Sequence, residues 1–329
     1  MKKFVFILMA LVTFESQCWL QNSIAGENPK QSPDVPPDPL YNGKPLSEWL
    51  KVLFRWEYAH GRITNEESKE AVQQIGTNAL PLLLNWIAKP ESGWSASDQD
   101  RAVDGFEVLG PVAKPAVPDL IKIIGQNRDY PERALVFIGK DAVPALADKL
   151  VETFSDTNDP ISYNWRIDVR HDSGFYIRER ILGVLNQMGT NAEAALPALI
   201  QTITTNQPTE IRFGWLMQQN PYAVFVNVGR NHQDEVIPIL LERFNNPDLS
   251  QFKRGQVADA ISIFGTNQAK VFMPVLIAAL SENKTNDSSR IQIGAAVAVI
   301  GNNQPDTLVP VFLTALTDKN NNEGRTNVA

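Results

Sequence analysis

Residues 188–203, MGTNAEAALPALIQTI, and residues 264–280, FGTNQAKVFMPVLIAAL, follow one pattern. In both, an apolar residue precedes a glycine, a Thr-Asn pair follows the glycine, and a proline lies beside an apolar run. The pattern also occurs at residues 75–84, IGTNALPLLL, and more loosely at residues 109–124, LGPVAKPAVPDLIKII. A sequence that returns to one pattern every few tens of residues is typical of a repeat protein.

Seven glycines mark the repeats along the chain. They are Gly76, Gly110, Gly139, Gly189, Gly229, Gly265 and Gly301. The residue directly before each glycine and the residue four before it are apolar in all seven repeats. The residues four before are Val72, Phe106, Leu135, Leu185, Phe225, Ile261 and Val297. This spacing predicts a helix that ends at each glycine and buries one apolar stripe.

Each repeat is predicted to contain a second helix after the glycine. Glycine accepts a left-handed conformation past the last helical turn, so it should end the first helix. An Asn or Asp two residues later, such as Asn78 or Asp141, is expected to cap the second helix. The proline lacks an amide donor and should open that helix or kink a short leading turn into it. No segment shows convincing strand alternation with hairpin turns, so we predict an all-α fold, an α-α superhelix of about seven helix pairs.

The quoted segments resemble HEAT repeats, in the variety also found in phycobilisome lyases, and the resemblance covers residues 46–329. It implies helix pairs stacked into a right-handed solenoid, with the glycine-ended helices on the concave side. It also implies a protein-binding scaffold. Asp248 and Arg254 match the spacing of the Asp-Arg ladder of that family.

Four arginines lie eleven residues before a repeat glycine. They are Arg128, Arg178, Arg254 and Arg290. A ladder between neighbouring repeats is the favoured interpretation, and a basic stripe for an anionic ligand is the alternative.

The N-terminal residues 1–25 are predicted to be a signal peptide. Lys2 and Lys3 precede an apolar run at 4–14 that is too short to span a membrane. Ser23 and Ala25 suit cleavage before Gly26, and a cut after Cys18 is the alternative. The alternatives are a buried amphipathic helix and a lipidated Cys18, and membrane attachment is expected only through an uncleaved signal or that lipid. We therefore expect export to the periplasm or the extracellular space of a bacterium.

Residues 26–45 are predicted to be a proline-rich linker, because 29–39 contains five prolines. The solenoid should then occupy residues 46–329. Trp49 and Trp56 are expected to belong to the lid over its first repeat rather than to a ligand cage. At the other end, Arg325 and the small residues after it resemble the start of another repeat helix. We expect the last repeat either to be truncated or to associate with another chain.

Composition argues against several classes of function. The 329 residues carry a net charge of -7, which disfavours nucleic acid as a partner, and one cysteine cannot form an internal disulfide or a thiolate metal cluster. His60, His171 and His232 lie in no HExxH or His-Glu arrangement, and no nucleophile or phosphate-binding motif occurs. We predict no enzymatic activity, no metal and no cofactor.

The best local candidate for a binding site lies in an insertion at residues 153–176. The gap from Gly139 to Gly189 is 50 residues, whereas the last two gaps are 36. The candidate partner-binding residues are Tyr163, Trp165, Arg166, Arg170, His171 and Tyr176. Aromatic residues and arginines are the usual anchors of protein interfaces, although these aromatic rings could instead pack on the neighbouring repeat.

The sequence thus predicts an exported, non-enzymatic scaffold that binds an unknown protein or peptide. The alternative is a protein that binds or transfers a small ligand of the tetrapyrrole type, as the resemblance to the lyases implies.

Overall fold

The computed structural model describes residues 36–57, 61–89, 98–126, 128–154, 174–205, 219–281 and 287–302, together with residues 306, 309 and 310. The predicted predominance of helix is confirmed, because fourteen helices occupy most of these residues. All helices and strands of the described residues lie within one of the two units into which the contacts divide the chain, Asp38–Ala329.

The helices are numbered here in chain order. They are α1 Leu46–Lys51, α2 Glu66–Ile75, α3 Leu80–Ala88, α4 Asp98–Leu109, α5 Val117–Lys122, α6 Tyr130–Ile138, α7 Val143–Glu152, α8 Gly174–Met188, α9 Leu196–Thr204, α10 Pro221–Val228, α11 Gln233–Asn245, α12 Gln251–Ser262, α13 Ala269–Ser281 and α14 Asp287–Ile300. From α2 to α13 they form six helix pairs, and α14 is the first helix of the seventh predicted pair. The predicted truncation or association near Arg325 lies outside the described residues.

The first helices of successive pairs contact one another in an unbroken series. Helix α2 contacts α4, and the series continues through α6, α8, α10 and α12 to α14. Among the second helices, α5 contacts α7 and α7 contacts α9. Neighbouring pairs therefore pack mainly through their glycine-ended helices.

The apolar residues four before the repeat glycines are all buried, as predicted. Val72, Phe106, Leu135, Leu185, Phe225, Ile261 and Val297 are each 0% exposed and belong to one hydrophobic cluster. The repeat pattern therefore marks the core of the protein.

The turn after the first helix differs in detail from the prediction. Gly76 has φ 59° and ψ −134°, so its φ is positive as predicted, but its ψ differs from that of the left-handed helical conformation. A short 3-10 turn, Gly76–Ala79, then leads directly into α3.

The predicted Asn and Asp caps are also wrong at Asn78 and Asp141. The N-cap residues of α3 and α7 are Ala79 and Ala142, and neither makes a side-chain cap hydrogen bond. The preceding 3-10 turn supplies main-chain acceptors instead, since the Leu80 amide donates to the Thr77 carbonyl. Both predicted placements of proline occur: Pro81 opens α3, and Pro274 lies inside α13.

Two short hairpins correct the prediction that no strands occur. Strand β1, Leu40–Tyr41, pairs with β2, Lys44–Pro45, and β3, Phe54–Glu57, pairs with β4, Gly61–Thr64. The first turn, Asn42-Gly43, has positive φ at both residues, which is the type I′ hairpin turn that this dipeptide favours. Among the described residues, the first strand begins at Leu40, inside the segment predicted to be a linker.

The first hairpin covers the Trp49 side chain, which is 6% exposed. Its indole Nε1 lies 3.3 Å from the Tyr41 carbonyl and 3.2 Å from that of Lys44, and the Lys44 ammonium lies 3.8 Å from its ring centroid. This burial agrees with a structural role for Trp49. The Trp56 side chain lies outside the described part.

Candidate functional site

Five of the six predicted partner-binding residues lie outside the described residues. They are Tyr163, Trp165, Arg166, Arg170 and His171. The sixth, Tyr176, lies in the first turn of α8 and is partly buried, with the Arg180 guanidinium 5.7 Å from its ring centroid. That the other five residues bind a partner together with Tyr176 stays a prediction.

The structure does describe the residues at which this insertion leaves and re-enters the helices. Residues 155–173 connect α7 to α8, and residues 206–218 connect α9 to α10. Both segments therefore run from a second helix to the next first helix. Six polar side chains from α8, the end of α9, α10 and α12 line one niche, and we call them the α8–α10 junction. It consists of Arg178, Glu179, Thr205, Tyr222, Lys253 and Gln256.

Arg178 ties the start of α8 to the end of α7. It is 5% exposed, and its guanidinium donates to the Thr153 hydroxyl at 3.3 Å and to the Thr153 carbonyl at 3.0 Å. The same guanidinium lies 4.6 Å from the centroid of the Phe154 ring. The buried charge is therefore placed where the end of a helix presents unpaired carbonyls.

In other repeats, too, the residue eleven before the repeat glycine bonds to a carbonyl at the end of the preceding helix. Gln99 donates to the Lys89 carbonyl at 2.9 Å at the end of α3, and Arg290 donates to the Leu280 carbonyl at 3.1 Å in the last turn of α13. These residues lie eleven before their repeat glycines, as Arg178 does. The spacing marked the position, but only the structure shows that its partner is the preceding helix end. This bonding favours a structural role over a basic stripe for an anionic ligand.

Glu179 holds the residue at which the segment 206–218 re-enters the fold. Its carboxylate accepts the Gln219 amide at 2.6 Å. Burial raises the pKa of Glu179 to about 7, while the Gln219 hydrogen bond and the nearby Arg178 charge act in the opposite direction. No sequence motif singled out this carboxyl.

Asn220 links the same place to α12. Its side-chain oxygen accepts the Tyr222 amide at 3.1 Å and caps α10, and its side-chain nitrogen donates to the Gln256 carbonyl at 2.8 Å. The beginnings of α8, α10 and α12 are therefore joined by hydrogen bonds.

The junction encloses a small niche whose walls are polar and mixed in charge. The basic Arg178 and Lys253, the carboxyl of Glu179 and the hydroxyls of Thr205 and Tyr222 all line it. Burial also raises the pKa of the Tyr222 phenol. The open volume of the niche is about 20 Å³, which is room for about one water-sized polar group.

A buried ion pair connects α6 to α8 beside this junction. The Glu132 carboxylate, 6% exposed, lies 2.6 Å from the Arg180 guanidinium and accepts the Gly125 amide at 3.0 Å. Arg180 also donates to the Arg128 carbonyl at 2.5 Å. Burial raises the pKa of Glu132, although Arg180 acts against that shift.

A second charged cluster connects the second hairpin to α4. The Arg62 guanidinium lies 2.6 Å from the Asp104 carboxylate and 2.8 Å from that of Glu107, and it stacks 3.4 Å from the Phe54 ring centroid. Burial raises the pKa of Asp104 to about 6, against the effect of Arg62. The Arg133 guanidinium of α6 lies 3.4 Å from the Asp100 carboxylate of α4. These ion pairs hold the second hairpin against α4, so we interpret the cluster as structural.

The described residues contain no group of three or more His, Cys, Asp or Glu side chains that could hold a metal ion. Within them, the His232 imidazole lies 3.1 Å from the Glu193 carboxylate, while His60 and His171 are outside that part of the chain. None of the helices in the same part is long and apolar enough to cross a bilayer.

Comparison of the sequence with protein-family models and with curated proteins gave no match. The fold and the junction together define a predominantly helical protein built from consecutive helix pairs.

Proposed function

We propose that residues 46–329 form a HEAT-type solenoid that acts outside the cytoplasm as a non-enzymatic scaffold for a protein or peptide. The unbroken series of contacts from α2 to α14 supports the solenoid, because each pair buries its apolar face against its neighbours.

The α8–α10 junction is the observation that carries the binding proposal. Thr205 of the niche directly precedes the segment 206–218, and Arg178 bonds to Thr153 just before the segment 155–173. The niche has room for about one polar group of a partner. The segment 155–173 contains Tyr163, Trp165 and Arg166, residue types that dominate the energetics of interfaces. We expect the aromatic anchors and the polar niche to contact the same partner.

Capture from a bacterial envelope extract tests this proposal. The immobilised protein should retain a specific partner, identified by mass spectrometry, and the triple change Tyr163→Ala, Trp165→Ala, Arg166→Ala should weaken its retention about tenfold or more while the helical circular dichroism stays unchanged. The matched control is Val112→Ala with Lys114→Ala on an exposed turn of the second repeat, which should retain the partner fully.

Two outcomes would contradict the proposal. Equal retention by the triple variant would remove the insertion from the interface. A stable coloured complex with a linear tetrapyrrole, formed without any captured protein, would favour the ligand-binding alternative.

Export has a separate test. Protein recovered from the periplasm or the medium should begin at Gly26 on N-terminal sequencing, because Ser23 and Ala25 suit the cleavage site. An intact Met1 on protein found only in the cytoplasmic fraction would overturn this part.

A further inference from the structure

One side of α14, the last described helix, is apolar and exposed. Ile291 is 49% exposed, Ala295 and Ala298 are exposed as well, and Gly294 between them is partly exposed. Residues 291–302 contain no charged side chain. We call Ile291, Gly294, Ala295 and Ala298 the end face of α14.

The equivalent positions of the inner first helices face the next repeat. The four residues of the end face lie ten, seven, six and three before Gly301. At each of these positions an inner first helix holds a polar side chain that bonds to the next first helix or to the residue that leads into it. The pairs are Glu179 with Gln219, Glu132 with Arg180, Asp259 with Gln292, and Asn186 with Asn227. The end face is therefore a repeat interface in position, but it lacks the polar groups through which the inner repeats pair.

The other end of the array has the opposite character. The residue nine before the repeat glycine bonds back to the preceding repeat in α8 and α14, through Arg180 and Gln292. In α2 that residue is Glu67, which is exposed, and so is Glu70 on the same side of the helix. The start of the array thus has the polar outer surface that a terminal repeat requires, whereas α14 has an apolar one.

The chemistry of the two ends selects what covers the end face. Stacking of α14 on the α2 of another copy would bury the carboxylates of Glu67 and Glu70 against an uncharged surface, which is costly. A further repeat of the inner kind would leave its own polar side chains without partners there. A second end face has neither cost, because it is equally apolar and uncharged. We propose that the end face of α14 binds the same face of a second copy of this chain.

The arrangement that follows is an antiparallel pair of α14 helices about a two-fold axis close to Ala295. Ile291 and Val299, each 49% exposed, lie four residues to either side of Ala295, so Ile291 of one copy meets Val299 of the other. The small side chains of Ala295 and Ala298 allow the two helices to approach closely. One helix face is smaller than the roughly 800 Å² per partner of a standard interface, so the dimer should dissociate on dilution.

Sedimentation velocity of the full chain measures this dimer. Its fraction should rise with protein concentration over about a hundredfold range. Ile291→Glu should raise the dimer dissociation constant about tenfold or more, because it places a carboxylate against Val299 of the other copy. The matched control is Val112→Glu, at a 53% exposed position of the second repeat, which adds the same charge and should dimerise as the unchanged protein does.

A disulfide tests the two-fold arrangement independently of any loss of binding. Ala295→Cys in a Cys18→Ser chain has a single thiol, so any disulfide joins two copies. Mild oxidation should yield a covalent dimer, because the axis brings the two copies of residue 295 within disulfide reach. Glu70→Cys in the same Cys18→Ser chain is the control at the other end of the array and should not form one. Circular dichroism verifies that each variant is folded.

A monomer at every concentration would overturn the proposal. A dissociation constant that Ile291→Glu and Val112→Glu leave equally unchanged would overturn it too, as would failure of Ala295→Cys to cross-link. A mixed disulfide between Ala295→Cys and Glu70→Cys would show head-to-tail stacking instead. Because the capture experiment depends on the insertion and these measurements depend on α14, either result stands without the other.

Discussion

At the scale of single residues, buried polar side chains connect one helix pair to the next. Glu132 and Arg180 join α6 to α8, and Glu179 holds the Gln219 amide just before α10. Burying a charge is costly unless hydrogen bonds or an opposite charge compensate it. A wrong alignment of neighbouring pairs would leave these groups without partners, so we infer that they help to fix the register of the repeats.

The raised pKa of Glu179 predicts a pH-dependent stability. The carboxyl has an ordinary pKa of 4.5 and a folded value of about 7, so between these values the folded protein holds a proton that the unfolded chain has released. This contribution to stability is fully present below pH 4.5 and is lost as the pH rises through 7. Glu179→Gln should therefore leave the free energy of unfolding nearly unchanged at pH 4.5 and raise it by about 2–3 kcal/mol at pH 8.

Urea unfolding followed by circular dichroism at both pH values measures this difference. The glutamine oxygen can still accept the Gln219 amide, so the hydrogen bond is retained. Glu242→Gln, at an exposed position of α11, is the control and should have the same effect at both pH values. A pH-independent effect of Glu179→Gln would show that the folded carboxyl titrates normally.

At the scale of the elements, the repeat glycines serve two physical purposes. Gly76, Gly110, Gly139, Gly189 and Gly265 have positive φ, which side chains rarely adopt. Gly229 has φ −87°, which any residue can adopt, so glycine is needed there for lack of space. An added Cβ would lie 2.5 Å from Val236 Cγ2 and 3.0 Å from the Phe225 carbonyl oxygen. The same sequence signal thus reflects a turn conformation in five repeats and a close helix approach in another.

Substitution of Gly229 by alanine should destabilise the protein although its backbone conformation permits a side chain. We expect Gly229→Ala to lower the free energy of unfolding by about 1–3 kcal/mol through overpacking at the start of α11. Gly183→Ala is the matched control: Gly183 lies inside α8 with no atom within 4 Å of the added Cβ, so alanine should stabilise by about 0.5–1 kcal/mol. Thermal and urea unfolding measure both changes. Equal effects of the two substitutions would refute the steric explanation.

At the scale of the whole molecule, each helix pair contacts mainly its neighbours in the chain. The contacts of first helices run from α2 to α14 in order, and the described core is one continuous cluster. In such an arrangement stability is a sum of repeat and nearest-neighbour contributions, and damage to one repeat should stay local.

Hydrogen exchange followed by mass spectrometry tests this locality. Leu83→Ala removes a fully buried side chain of α3 and should cost about 2–5 kcal/mol. We expect faster exchange in α2, α3 and α4 and unchanged exchange in α12 and α14. Val112→Ala, at an exposed position, should change neither region. Uniform acceleration along the chain would indicate a single cooperative core instead of neighbour-by-neighbour packing.

The sequence by itself determined the helix pairs and the residues of their core. Val72 and Ile261 are buried because a 3.6-residue period places an apolar stripe on one side of a helix wherever it recurs, and this is a local property. The first hairpin is also a local property, because the Asn42-Gly43 dipeptide by itself favours a type I′ turn. This dipeptide could have predicted the hairpin from the sequence.

Tertiary structure alone decided how the polar groups pair. No periodicity identifies Glu179, whose partner Gln219 lies 40 residues further along the chain; the eleven-residue spacing marked Arg178, but it did not reveal the partner, the Thr153 carbonyl. The junction exists only because separate pairs meet at particular distances. A sequence pattern records which side of a helix is apolar, but the gap between two helices depends on every side chain packed between them.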